Sequence, residues 1–121
     1  MRMKKDNVIQ TKSYQFAIRV VNLYKYLVEE KKEFVLSKQV LRSGTSIGAN
    51  VEEAIGGQSK KDFVAKFSIA YKEARETNYW IRLLRDTDYL ERKQAESLLA
   101  DLDELLRIIA SILKTSKGDN N

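Results

Sequence analysis

The stretch from Lys38 to Ala54, KQVLRSGTSIGANVEEA, decides how the rest of the chain is read. Turned at about 100° per residue, Val40, Gly44, Ile47, Gly48, Val51, Ala54 and the following Ile55 fall on one stripe. Gly44 and Gly48 form a GxxxG pair within it. Two glycines one turn apart let another helix backbone come close, at an intrinsic cost of about 1 kcal/mol each relative to alanine. The segment therefore reads as a helix that others pack against. The far side carries Gln39, Arg42, Ser46, Asn50 and Glu53 within about 80° of arc, a polar stripe suited to water, a subunit interface or a ligand. Ser37 is the expected N-cap, and Gly56 with Gly57 ends the helix.

Outward from this helix, residues 1–10 are polar and aperiodic, which predicts a flexible arm. Thr11 or Ser13 caps a first helix over about 12–30, with Phe16, Ala17, Val20, Leu23, Tyr24, Leu27 and Val28 on one face and Arg19, Asn22, Lys25 and Glu29 opposite. The run EEKKE at 29–33 reads as a solvated helix end and loop. Beyond the second helix, over about 38–56, Ser59 and Asp62 make a capping-box-like start to a third helix over about 60–85. RDTDYLE at 85–91 breaks the pattern and offers Thr87 or Asp88 as a cap. A fourth helix over about 91–115 places Ala95, Leu98, Leu102, Leu105, Ile109, Ile112 and Leu113 inward, and residues 116–121 read as a disordered tail. The prediction is an all-α, antiparallel, up-down-up-down four-helix bundle spanning 11–115.

Composition agrees. Proline is absent and glycine occurs five times in 121 residues, which suits long uninterrupted helices. Cysteine and histidine are both absent, removing thiolate metal sites, disulfides and the commonest general base. No apolar run reaches the roughly 18 residues of a membrane span, and the start MRMKKDNVIQ lacks a signal-peptide core, so a cytoplasmic protein with no membrane partner is expected. Net charge is +5, distributed as 17 basic and 9 acidic side chains in residues 1–85 against 5 and 8 in 86–121. Such asymmetry fits either a polyanion partner or a soluble helical surface with lysine in excess.

The third helix carries a core stripe of Phe63, Phe67, Ala70, Tyr71, Ala74, Asn78 and Ile81. A second seam runs Ile69, Glu73, Glu76, Trp80 and Leu83, with Ala65 and Tyr79 beside it. A helix apolar on two sides has two partners to satisfy, so Ile69, Tyr79, Trp80 and Leu83 are the expected oligomer interface. The other placement for Trp80 is beneath the loop near 86–89. Carboxylates supply the only acid–base constellations: Glu52 with Glu53, Glu73 with Glu76, and Asp101 with Asp103 and Glu104. Adjacent residues diverge on a helix, and bundle di-iron sites need a Glu-x-x-His that a histidine-free chain lacks. No catalytic residue, cofactor or metal is therefore expected. Gln39, Arg42, Ser46, Asn50, Glu53, Glu73 and Glu76 are instead read as a polar network between packed helices or subunits. For a nucleic-acid partner the candidate contacts are Arg2, Lys4, Lys5, Lys12, Lys60, Lys61, Lys66 and Lys72. The alternative is an oligomeric scaffold that binds a partner protein, without nucleic acid.

QVLRSGTSIGANVEEA, with Gln39, Arg42, Ser46, Ile47, Ala49, Asn50 and Glu53, resembles the helix-two motif of the small four-helix-bundle proteins encoded in intervening sequences of bacterial large-subunit ribosomal RNA genes. The third helix is similar to that family at Phe63, Ile69, Ala70 and Glu76. Leu41 stands where the family often has a first arginine, and Ala54 where it usually has glycine. The resemblance implies a cytoplasmic bundle, often a ring of five subunits, with no established catalysis. A related branch, the accessory proteins of diversity-generating retroelements, is similar in fold and implicated in binding nucleic acid and a reverse transcriptase.

Overall fold

The computed structural model describes residues 4–118, with side chains from Val8 onward. Within that range the chain forms α1 (Lys4–Glu29), α2 (Leu36–Ile55), α3 (Lys60–Asp86) and α4 (Arg92–Gly118). Consecutive helices run antiparallel and pack side by side, and α4 closes against α1, so α1 and α3 lie across one diagonal and α2 and α4 across the other. The core is the expected one: Phe16, Val20 and Leu27 meet Val40, Ile47 and Val51, with Phe67, Ala74 and Ile81 from α3 and Leu102, Leu105 and Ile109 from α4, all essentially buried. Phe63 and Phe67 pack in a tilted pair with ring centres 4.7 Å apart at the entry to α3.

The GxxxG stripe is spent on α1. A β-carbon at Gly44 would lie 2.7 Å from both methyls of Val20, and one at Gly48 would lie 3.3 Å from the Ser13 carbonyl oxygen. On its other flank α2 is tied to α3 by a buried hydroxyl pair: Thr77 Oγ1 donates to Ser43 Oγ at 2.9 Å. Neither residue has a hydrophobic signature, and sequence periodicity passed over both.

Several element ends differ from expectation. Residues 4–10 are not a loose arm but the opening turns of α1, because Ile9 is fully buried and extends the core stripe of Phe16 and Val20. Thr11 and Ser13 accordingly lie mid-helix. Residues 1–3 and 119–121 lie outside the described range, while 116–118 belong to α4 and Ser116 is buried. Ser37 is not the cap of α2, which begins one residue earlier. The cap is Glu33, a member of the run expected to be solvated: its Oε2 accepts from the N–H groups of Val35 (3.2 Å) and Leu36 (3.0 Å), and its Oε1 from that of Ser37 (2.7 Å). A carboxylate satisfies three free donors of a helix start and complements its positive end, which compensates for its burial. Thr87 and Asp88 close α3 rather than open α4: the Thr87 N–H and hydroxyl both return to the Leu83 carbonyl, and Asp88 takes the left-handed turn at φ 68°. Ser59 does cap α3, accepting the Asp62 N–H at 3.1 Å.

Candidate functional site

The polar residues singled out in the sequence divide into separate groups. Arg42 of α2 reaches across to α3, where one guanidinium nitrogen lies 3.2 Å from a Glu73 oxygen and the other donates to Glu76 Oε2. That same Glu76 oxygen accepts the Trp80 indole N–H at 2.9 Å. The indole donor, followed by Arg42, holds the Glu76 carboxyl below its ordinary range against the opposing pull of burial, and Glu76 in turn raises the affinity of Arg42 for its proton. Glu53 is drawn elsewhere on the α2–α3 boundary, to Lys66 Nζ at 2.8 Å. Ser46 and Asn50 donate to carbonyls of their own helix, those of Arg42 and Ser46, and Gln39 is exposed.

The carboxylates of this arrangement are engaged in pairs. Each carboxylate of the Arg42 cluster already accepts from a neighbour, and the other pairs behave alike: Glu52 accepts from Gln10, Asp101 pairs with Arg19 at 2.7 Å, and Glu104 pairs with Lys12 at 3.2 Å. No group of three or more acidic side chains converges as a metal site among the described residues. Arg19, expected on the solvated side of α1, instead bridges to α4, where it also donates to the Ser97 hydroxyl at 3.1 Å. Arg19 and Ser97 also line an open groove together with Leu23, Leu90 and Leu98. No helix is long and apolar enough to cross a membrane among the described residues.

The candidate basic contacts also separate. Lys12 and Lys66 are engaged in ion pairs, whereas Lys60, Lys61 and Lys72 are exposed along α3. Arg2 lies outside the described residues, as do the side chains of Lys4 and Lys5 at the start of α1. Two further exposed cations on α3, Arg75 and Arg82, were missed by sequence reading; their spacing from Lys72, three and ten residues, was the available signal.

On the second seam of α3, Ile69 is 41% and Tyr79 50% exposed, while Trp80 and Leu83 are half-buried. Tyr79 packs edge-to-face on Trp80 with ring centres 5.0 Å apart. A matching feature on α1 escaped sequence reading: Tyr14, Ile18 and Val21 point away from the core, the first 65% exposed. Their spacing of four and three, continued by Lys25, is a helical stripe overshadowed in the sequence by the stronger core stripe.

Residues 5–111 match the family model described as 23S rRNA-intervening sequence protein. A crystal structure of a protein with unknown function from the S23 ribosomal protein family of Bacteroides thetaiotaomicron VPI-5482 superposes with a TM-score of 0.90 at 57% sequence identity, covering 91% of this chain and 98% of that one. No curated protein matches.

Proposed function

The chain belongs to the 23S rRNA-intervening sequence protein family, and from that premise we propose that it is a non-catalytic, self-assembling cytoplasmic bundle that binds structured RNA through a basic surface. The observation that carries the reading is how the charges are shared out. Along the faces between helices, Glu104, Asp101, Glu73, Glu76 and Glu53 each face a cation, while Lys60, Lys61, Lys72, Arg75 and Arg82 of α3 stay exposed and outside the ion pairs. Unmatched cations are what a phosphate backbone neutralises, with counterion release as the driving force. Self-association is supported by the unpartnered apolar side chains Tyr14, Ile18 and Val21 of α1 and by Ile69 of α3 with the half-buried Trp80 and Leu83 beside it. Tyr79, expected in the same interface, stands about 80° from Ile69 around the helix and is left outside this patch. The two patches are unlike and lie on diagonally placed helices, so one copy's α1 face set on the next copy's α3 face makes a head-to-tail contact, the kind that closes into rings. The family likeness favours five subunits. The apolar stripe of α1 also fits the rival reading, a scaffold that docks a partner protein.

Light scattering on purified protein reads the assembly, and a gel shift with structured RNA at about 50 mM salt reads the binding. A single copy at micromolar concentration overturns the first half. Absence of any shift overturns the second, and a stoichiometric protein without RNA in a pull-down favours the scaffold.

A further inference from the structure

Resting on that reading, we infer that the outward ridge of α3, built by Lys61, Ser68, Lys72, Arg75, Tyr79 and Arg82, is the surface that grips the backbone of a single-stranded RNA loop. The spacing of seven, four, three, four and three residues keeps these side chains within about 80° of arc. At 1.5 Å per residue the ridge runs about 32 Å along a straight helix. All but the half-buried Ser68 are exposed.

The ridge is cationic because most anions of its own helix are turned off it, and the one at its end, Asp86, is paired with Arg85 at 2.8 Å. Between Lys61 and Arg82, α3 contains Asp62, Glu73 and Glu76. Arg42 of α2 draws Glu73 and Glu76 to its side, the Trp80 indole of α3 itself holds the same Glu76 oxygen, and Asp62 sits in the first turn beside the α3 cap. Lys72 lies one turn before Glu76 and is the ridge cation closest to it, so the Arg42 pairing bears most on Lys72. On the adjoining helix α4, Asp103 and Glu96 are each matched on their own helix, with Arg107 at 2.9 Å and Arg92 at 3.8 Å. Arg82 is oriented by a neutral partner, its Nε donating to Asn78 Oδ1 at 2.7 Å, and the nearest anion of its helix, Asp86, is bonded directly to Arg85 and feels Arg82 only through space.

Tyr79 sets the kind of nucleic acid. Its ring stands among the cations, half exposed and braced edge-to-face by Trp80. An aromatic surface flanked by guanidinium and ammonium groups stacks an unpaired base while the cations hold the flanking phosphates, an arrangement that a fully paired duplex does not use.

The test is fluorescence anisotropy across a salt series, with a stem–loop RNA and a fully paired RNA of the same length. The variant Lys72→Ala/Arg75→Ala/Arg82→Ala is expected to flatten the log–log salt dependence by about 2, at roughly 0.7 per lost single-strand contact. A control removing the same charge from other helices, Lys38→Ala/Lys93→Ala/Lys114→Ala, is expected to keep the wild-type slope. Tyr79→Ala is expected to bind the stem–loop about tenfold more weakly, with Tyr79→Phe retaining affinity and the paired RNA indifferent to both. Arg42→Ala is expected to weaken binding without touching the ridge, and Glu73→Gln/Glu76→Gln in that background to restore it. Wild-type protein that binds RNA, with both triple variants equally weakened or the ridge variant unaffected, overturns the ridge and leaves RNA binding intact. Wild-type protein that binds no RNA overturns both.

Discussion

Gly44 of α2 is seated on Val20 of α1 so closely that a β-carbon at position 44 would lie 2.7 Å from both valine methyls. Val20 is fully buried and β-branched, so its methyls have nowhere to swing. Gly44→Ala is expected to cost about 1–3 kcal/mol in overpacking, offset by about 1 kcal/mol of better helix propensity. At Gly48 the corresponding approach is 3.3 Å, to a backbone oxygen, and the two effects nearly cancel. Thermal melts followed by circular dichroism should rank Gly44→Ala below Gly48→Ala; equal melting temperatures would mean that α1 has room to move away.

Glu33 gives stability a sign with pH. Burial alone would raise its carboxyl, but the N–H groups of Leu36, Ser37 and Val35 together hold it below the ordinary value. A group whose folded value is depressed contributes fully above the unfolded value of about 4.3 and loses that contribution as pH falls through the lower folded value. Glu33→Ala is expected to lose about 0.5–2 kcal/mol at neutral pH, the usual range for a lost helix cap. Urea unfolding at pH 7 and below pH 4 checks this: the gap between wild type and variant should narrow in acid.

Trp80 is the one tryptophan of the chain, so its emission reports on Glu76 directly. With the indole and Arg42 favouring the carboxylate, the emission change on acidification is expected below the usual carboxylate range. Arg42→Ala removes a stabilising cation and should move that midpoint upward. A midpoint unchanged by the substitution, with helicity intact, would show that the Arg42 contact is absent in solution.

Complementation distinguishes a head-to-tail assembly from a symmetric one. Ile18→Glu breaks the α1 patch and Ile69→Glu the α3 patch, and each variant alone is expected to be monomeric. Mixed in equal amounts they retain one intact α1 and one intact α3 face between them, so a dimer should form. Light scattering that shows only monomer in the mixture would rule out pairing of these two faces.

Core periodicity was legible in the sequence wherever it was strong. Phe16, Ile47, Phe67 and Leu105 announced their inward faces by spacing alone, and GxxxG announced a close approach. The bounds of α1 were less legible, since Val8 and Ile9 are an isolated apolar pair among polar residues and only the packed neighbours make Ile9 core. The sequence grouped Arg42, Glu53, Glu73 and Glu76 as one network, yet the fold divides them, because Lys66 lies nearer Glu53 than Arg42 does.

What the chain determined by itself is the set of four amphipathic helices and their antiparallel order, since hydrophobic spacing and short links are local properties of the sequence. The tertiary structure alone decided which charges cancel and which remain. Ion pairing depends on distances across helices that no spacing rule within one helix encodes, and those distances leave Lys72, Arg75 and Arg82 exposed while Lys12 and Lys66 are neutralised.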